Sequence, residues 1–368
     1  MNSLGFNKSE KDTKVVVAMS GGVDSSVAAV MLKNQGYDVI GITLRLYNNS
    51  DVSKNKSCCA GIDIEDAKNV ARKYNFKHIV LDYQDKFFDG VINNFVDSYS
   101  NGETPLPCVK CNQTVKFRDL LNEAKKIGAD ALATGHYAIR KGSLNNASLH
   151  KAKDFSKDQS FFLFATLQEQ LNYVRFPLGD YKKSEIRQLA KKFELEVSDK
   201  PDSQDICFVT SDSYRDLVKN LNPSVKKKGI IFDINNNILG THNGISNYTI
   251  GQRKGIGVSG SKEALYVIDI DKYQNSITLG TKEKLKKNII NFKNINWLGG
   301  NILPIKLDCS AKIRSTQEDL PGILNINKDH GTFTFEAELD KTSPGQACVF
   351  YNKDDLGFKV LGGGWISN

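Results

Sequence analysis

No stretch of this sequence approaches the ~18 consecutive apolar residues that cross a bilayer, and its opening residues, MNSLGFNKSEKDTK, lack the apolar centre of an export signal. Both absences predict a soluble, cytoplasmic protein with no membrane partner. The lysine that closes a Walker A loop is missing as well. After the glycine pair Gly21-Gly22 no lysine occurs before Lys33, which excludes the G-x-x-x-x-G-K phosphate cradle. Internal repeats and low-complexity tracts are absent. Seven cysteines, an odd number in a chain without an export signal, argue against a disulfide framework and for reduced thiols that are either buried or reactive.

What is present suits two or three domains in 368 residues. The net charge of +8 points toward nucleic acid. Lys, Asn and Ile are abundant along the whole chain, however, as in proteins of AT-rich genomes, so part of that charge reflects composition rather than a binding face. From Lys14 to about Cys207 the pattern alternates strand and helix. KVVVAM reads as a strand, Asp24 to Gln35 as a helix closed by Gly36, and YDVIGITL as the next strand. IDIEDAKNVARKYN reads as a helix and KHIVLDY as a strand. QTVKFRDLLNEAKKIG sets Phe117, Leu120, Leu121 and Ala124 on one helical face before the strand ADALATGH. Such alternation predicts an α/β fold, a parallel sheet with helices on both faces, over residues 1–207. After Cys207 the rhythm shortens. GIIFDINNNILGTH and YVIDIDKYQNSITLGT read as hairpins in a small α+β domain at 208–280. KLDCSAKIRS alternates with Lys306, Lys312 and Arg314 outward, TFTFEAEL alternates too, and 281–368 reads as a β-barrel.

Ligands of parallel sheets sit at the carboxyl ends of the strands, where Ser20 and Gly135 would both lie. Gly21 and Gly22 between a strand and a helix offer bare backbone N–H groups and a helix N-terminus to an anion. Ser20-Gly21-Gly22-Val23-Asp24-Ser25 resembles the S-G-G-x-D-S loop of the PP-loop ATP pyrophosphatases. That resemblance implies that the β,γ-pyrophosphate is held as a unit and that cleavage at the α-phosphate releases AMP. A plain capped turn is the competing reading. Further along, Cys108 and Cys111 form a C-x-x-C just ahead of a helix, for which zinc, redox and iron–sulfur readings compete. A cysteine at a helix N-terminus beside Lys110 is expected to be more ionised than an ordinary thiol.

The motifs AMSGGVDSSV, CCAGIDIEDAKNVA, PCVKCNQTVKF, ATGHYA, SKDQSFFL, DSQDICF, TIGQRKGIG and SPGQACVFY occur in an order that resembles the bacterial tRNA-specific 2-thiouridylase family from Val15 to the C-terminus. The resemblance implies sulfur transfer to the wobble uridine of the tRNAs for Lys, Glu and Gln. ATP adenylates the base O2 and a sulfur nucleophile attacks C2. By residue, it implies that Ala18, Met19, Ser20, Gly21, Gly22, Val23, Asp24 and Ser25 line the ATP together with Leu44 and Gly135, and that Asp24 helps hold Mg²⁺. Cys207 resembles the persulfide carrier and Cys111 its partner thiol. His136, Lys157, Asp158, Gln159, Arg314, Ser315 and Gln346 match tRNA contacts. The sulfur donor would be a cysteine desulfurase or a sulfur-relay protein.

One position departs from the family. Where the pattern has an Asp three residues before the partner cysteine, this chain has Cys108, which carries no fixed charge at neutral pH unless its pKa is lowered. Cys108, Cys111 and Cys207 together also resemble the three-cysteine iron–sulfur site of other tRNA thiolases. Besides that cluster enzyme, the competing functions are a non-thiolating PP-loop synthetase and a tRNA-binding protein with a relict nucleotide site. Cys58 and Cys59 are expected to be structural, and Cys309 and Cys348 to be barrel core.

Overall fold

The computed structural model describes residues 1–47, 61–202, 206–209, 213–259 and 263–367; Cys58 and Cys59 lie outside them. The chain divides into two compact units, residues 1–91, 108–210 and 352–361 in the first and residues 92–107, 211–351 and 362–368 in the second.

The first unit is built on a parallel sheet whose strands are apolar runs, as burial on both faces requires. β1 (Lys14–Ala18) has Val15, Val16 and Val17 fully buried. It lies between β2 (Asp38–Arg45) and β4 (Ala131–Thr134), with β3 (Lys77–Asp82) outside β2. Between β4 and the two-residue β7 (Val174–Arg175), which completes the order β3-β2-β1-β4-β7, the chain makes a hairpin of β5 (Ile139–Gly142) and β6 (Ala147–His150). The alternation pattern did not reveal that hairpin. Because the chain runs from β1 outward to β3 and then crosses to β4 on the other side, the carboxyl ends of β1 and β4 form the topological switch point of the sheet. α1 (Val23–Asn34) packs Val27, Ala28 and Val30 into a core shared with β1, β2 and β4, and α2 (Gly61–Lys73) buries Ile64, Ala67 and Val70.

The helix expected over residues 113–128 is wound in three pieces. Pro107–Cys111 is a short α-helix, Asn112–Leu120 widens into π-helical turns, and Leu121–Lys126 returns to α. Phe117, Leu120, Leu121 and Ala124 are all buried, so the apolar face survives the change of pitch. Wide turns of this kind are frequent at functional sites.

In the second unit both expected hairpins form. β8 (Gly229–Phe232) pairs antiparallel with β9 (Ile238–His242), and β10 (Tyr266–Asp271) with β11 (Ser276–Gly280). β11 lies parallel to β8, and Ile231, Val267, Ile277 and Leu279 make a small core. The last six strands are β12 (Lys286–Trp297), β13 (Lys306–Lys312), β14 (Leu320–Asn327), β15 (His330–Asp340), β16 (Ala347–Asp354) and β17 (Gly357–Ile366). They run in the order β12-β15-β14-β13-β16-β17, and β12 pairs again with β17, which closes the barrel. Phe292, Phe333, Phe335, Phe350 and Cys348 fill its interior and Cys309 is half-buried.

The outward assignment of KLDCSAKIRS is corrected. β13 stops at Lys312, which is buried with its ammonium 6.0 Å from the Tyr351 ring centre, and Arg314 and Ser315 follow in the turn. The aliphatic stem of a lysine tolerates such burial when an aromatic face receives the charge. Among the described residues, no helix is long and apolar enough to cross a membrane.

Candidate functional site

The loop after β1 carries the first functional geometry. Gly21 has φ +74°, and a Cβ there would lie 2.1 Å from the Asp63 carbonyl oxygen, so neither the conformation nor the space admits a side chain. The Ser20 N–H donates to Ser25 Oγ at 3.1 Å, and that hydroxyl donates to the Gly22 carbonyl at 3.2 Å. Ser25 therefore ties the loop to the first turn of α1. The N-cap of α1 is Gly22, which brings no side-chain acceptor, and the first N–H groups of the helix keep the donor capacity that an anion would use. Ser26 Oγ is buried in the same turn without a partner. Gly135 completes the wall, because a Cβ on it would lie 2.7 Å from the Ser25 nitrogen. Ala18 ends β1, Met19 and Val23 are buried under the loop, and Leu44 is buried at the carboxyl end of β2. These residues fit a polyphosphate at the switch point.

Asp24 is held by groups that the sequence did not announce. Lys183 Nζ lies 2.7 and 2.8 Å from its two carboxylate oxygens, and the Tyr137 hydroxyl donates to it at 2.7 Å. Burial and then the Asp24 charge push the Tyr137 pKa far up, so the phenol stays protonated. Lys183 also lies 3.0 Å from Asp202 Oδ1, and Asp202 receives Lys157 at 3.0 Å and Arg187 at 2.8 Å. Burial favours the neutral acid at Asp202, but the hydrogen bonds from Lys157 and Lys183 prevail and hold its pKa at about 2. A second lysine from outside the loop, Lys200, donates to the Gly21 carbonyl at 3.1 Å and to Asp66 at 2.8 Å, and it also pairs with Asp63. The loop that lacks a lysine in sequence thus has two in space. The available signal was Lys183 at the first turn of the helix Lys183–Lys192, the end at which the helix dipole disfavours a cation. For Mg²⁺ the loop offers one carboxylate, Asp24, already paired with Lys183. That suits an ion that keeps phosphate and water as most of its ligands.

The expectation of an ionised thiol beside Lys110 is overturned. Cys111 is buried and desolvation raises its pKa, with Lys116 opposing only in part. Cys108 is exposed by area yet densely surrounded, and burial raises its pKa too. Lys110 is itself desolvated and its pKa lowered, so it gives the thiols little help. Cys207 is half-buried, and its carbonyl accepts from the Tyr47 hydroxyl at 3.1 Å. Phe208 beside it is buried edge-on against Phe87 at 5.6 Å. Cys108 and Cys111 are free thiols, and among the described residues no three His, Cys, Asp or Glu converge to hold a metal. An assembled iron–sulfur ligand set is therefore absent from the described residues.

His136 packs between Phe117 and Phe176, with ring centres 6.0 and 6.4 Å away, and bonds Thr134 Oγ1 at 2.9 Å. Burial and then Lys116 push its pKa well below the ordinary value, so it is a neutral imidazole and no partner for a phosphate charge. In the 157–159 loop, Asp158 accepts from the Ala152 N–H and from Ser160, while Gln159 Oε1 accepts from the Tyr137 N–H at 2.9 Å. Arg314 is exposed, with its guanidinium on the Asp340 and Lys341 carbonyls, and Ser315 is half-buried beside it. Gln346 lies in the turn before β16.

A parallel sheet whose first strand feeds a glycine-pair loop and an uncapped helix N-terminus at the switch point defines an α/β nucleotide-binding protein of the PP-loop type. Residues 13–211 match the family described as tRNA methyl transferase HUP domain, 216–281 its PRC-barrel domain, and 287–366 the aminomethyltransferase beta-barrel domain. The chain is 48% identical over 374 residues, all of this chain and 95% of the relative, to the tRNA-specific 2-thiouridylase MnmA of Paracoccus denitrificans. It is 51% identical over 365 residues, 98% of each chain, to that of Rickettsia bellii. It belongs to the tRNA-specific 2-thiouridylase family. Among solved structures, a 4-thiouridine synthetase–RNA complex with bound ATP matches 58% of this chain and 50% of that one, with 19% identity and a TM-score of 0.37.

Proposed function

We propose that this tRNA sulfurtransferase adenylates the wobble uridine of the tRNAs for Lys, Glu and Gln and replaces its O2 with sulfur carried by Cys207. The observation that carries the reading is the uncapped N-terminus of α1, with the Gly135 backbone closing one side. Ala18 to Ser25, with Leu44 and Gly135, hold ATP with its β,γ-pyrophosphate at the helix start, and Asp24 contributes to the Mg²⁺ that the phosphates bring. The base O2 attacks the α-phosphorus and pyrophosphate departs, which turns O2 into a leaving group. The terminal sulfur of a Cys207 persulfide then attacks C2 and AMP leaves. The Cys111 thiolate attacks Sγ of Cys207, the S–S bond breaks with its electron pair moving to the sulfur on C2, and a Cys111–Cys207 disulfide forms. An external thiol reductant resets that disulfide, and a cysteine desulfurase or sulfur-relay protein reloads Cys207.

The raised pKa of Cys111 means that its proton must leave during the reaction. Cys108, one helical turn earlier, occupies the position from which a base would act. His136, Lys157, Asp158, Gln159, Arg314, Ser315 and Gln346 are assigned to the tRNA face, with residues 208–280 and 281–368 as tRNA-contacting domains and residues 1–207 as the adenylation domain. The protein acts in the cytoplasm, where its tRNA is. Mass analysis of tRNA nucleosides from cells with and without the protein tests the reading. Loss of 2-thiouridine is expected, and an unchanged level overturns it.

A further inference from the structure

A turn of the first unit holds an apolar ring out in solvent. Phe155 is 64% exposed, yet the backbone on both sides of it is fixed. Asp154 accepts from the Ser156 N–H and hydroxyl at 3.1 and 2.6 Å and from the Lys183 N–H at 3.0 Å. The Lys157 N–H donates to the Asp154 carbonyl at 3.0 Å, the Lys153 N–H to the Gly179 carbonyl at 2.9 Å and the Ala152 N–H to Asp158 at 2.9 Å. The Phe155 ring meets that of Phe358 at 5.7 Å and 83°. Phe358 lies in the hairpin of β16 and β17, whose residues 352–361 belong to the same unit. Lys151 and Lys353 flank it, with ammonium groups 4.7 and 6.0 Å from its ring centre. Lys353 is exposed, and the neighbouring Asp354 accepts from the Leu356 N–H at 2.9 Å and lies 3.9 Å from His150.

We propose that Phe155 is a stacking platform for one unpaired base of the RNA substrate and that Lys353 contacts a phosphate beside that base. The inference rests on reading residues 157–159 as part of the tRNA face. Folding gains little from a ring left this open to water, and none of the bonds that order the turn needs an aromatic side chain at 155. Every nucleobase has a flat π-face, and an exposed ring with lysines beside it is the arrangement that unpaired nucleotides fit. Because the turn is already ordered, little conformational freedom is lost when a base docks. The position suits the substrate as well. Asp154 is bonded to the Lys183 N–H, and the Lys183 ammonium lies on Asp24 of the nucleotide loop, so RNA brought to that loop for adenylation comes close to this ring.

The test is filter binding of an unmodified transcript of the tRNA for Glu to the full chain over a series of KCl concentrations, with urea melts to confirm that each variant folds like the wild type. Phe155→Ala is expected to weaken binding about fivefold or more at every salt concentration. The slope of log affinity against log salt stays as in the wild type, because a stacked base releases no counterion. Phe155→Trp keeps the affinity, and Phe155→Leu, apolar but not planar, loses it as alanine does. Lys353→Gln makes the slope shallower by about 0.7, the share of one single-strand phosphate. Full affinity in Phe155→Ala or in Phe155→Leu, or a loss that comes with a shallower slope, overturns the stacking. An unchanged slope in Lys353→Gln overturns the phosphate contact. A wild type that binds no tRNA overturns the reading of the tRNA face and this inference with it.

Discussion

Gln346 donates its side-chain amide to the Thr104 carbonyl at 2.9 Å, and the Thr104 N–H donates to the Pro344 carbonyl at 2.8 Å. The turn before β16 thereby clasps the stretch that leads into the C-x-x-C, and the Gln346 carbonyl also accepts from the Ile366 N–H at 2.7 Å. Gln346→Ala is expected to destabilise the protein by about 1 kcal/mol, the net worth of one such bond, in urea melting. A variant that melts like the wild type would mean that this bond adds no net stability, and weaker tRNA binding by that variant would accord with the place of Gln346 on the tRNA face.

Asp24→Ala removes the carboxylate that meets Lys183 and Tyr137. With tRNA present, the wild type is expected to convert ATP to AMP and pyrophosphate and the variant to do neither, while tRNA binding is retained. Chromatography of the nucleotides checks both. ADP and free phosphate as the main wild-type products would refute cleavage at the α-phosphate.

Asp202 supplies a pH signature. Its folded pKa of about 2 lies below the ordinary carboxylate value of 3.8, so its contribution to stability is present above that ordinary value and is lost as the pH falls toward about 2. The contribution is roughly 2 kcal/mol. The stability gap between wild type and Asp202→Asn, from urea melts, is expected to be full at pH 6 and to shrink below about pH 4. A gap of constant size down to pH 3 would mean that the carboxylate is not held by charge.

The cysteines separate two chemistries. Because burial raises the Cys111 pKa, its alkylation is expected to be slow at neutral pH and to climb as the pH passes the ordinary thiol range. Cys111→Ala and Cys207→Ala each remove a covalent step and abolish thiolation, Cys108→Ser slows it, and Cys108→Asp is tolerated. Failure of Cys108→Ser together with the two alanine variants, in an anaerobically purified protein with stoichiometric iron, would establish a cluster instead.

The parallel sheet was legible because burial on both faces leaves little latitude: Val15, Val16 and Val17 could pack almost nowhere else. The loop was legible because Gly21 is required by conformation and by the nearness of Asp63, and Gly22 stands at the helix start without a side-chain cap. Lys183 was not, since its partner Asp24 lies 159 positions away and no local pattern announces a cation at the disfavoured end of a helix. The thiols misled for a related reason. Their sequence neighbours are a lysine and a helix start, but their pKa values follow the solvent removed by residues distant in sequence. Arg314 was placed on a strand because alternation continues in the letters past Lys312, where the hydrogen-bonded ladder has already ended.

Barrel closure has a consequence for the order in which the chain is made. The five-stranded parallel sheet has all its strands once Arg175 has been synthesised, and N-terminal parts tend to fold first on the ribosome. The barrel instead waits for residues 362–366, which pair with the far half of β12. A message cut short near its 3′ end would yield a nucleotide-binding sheet with its full set of strands, joined to an open β-sheet with two unprotected edges, the feature that drives strand-to-strand aggregation.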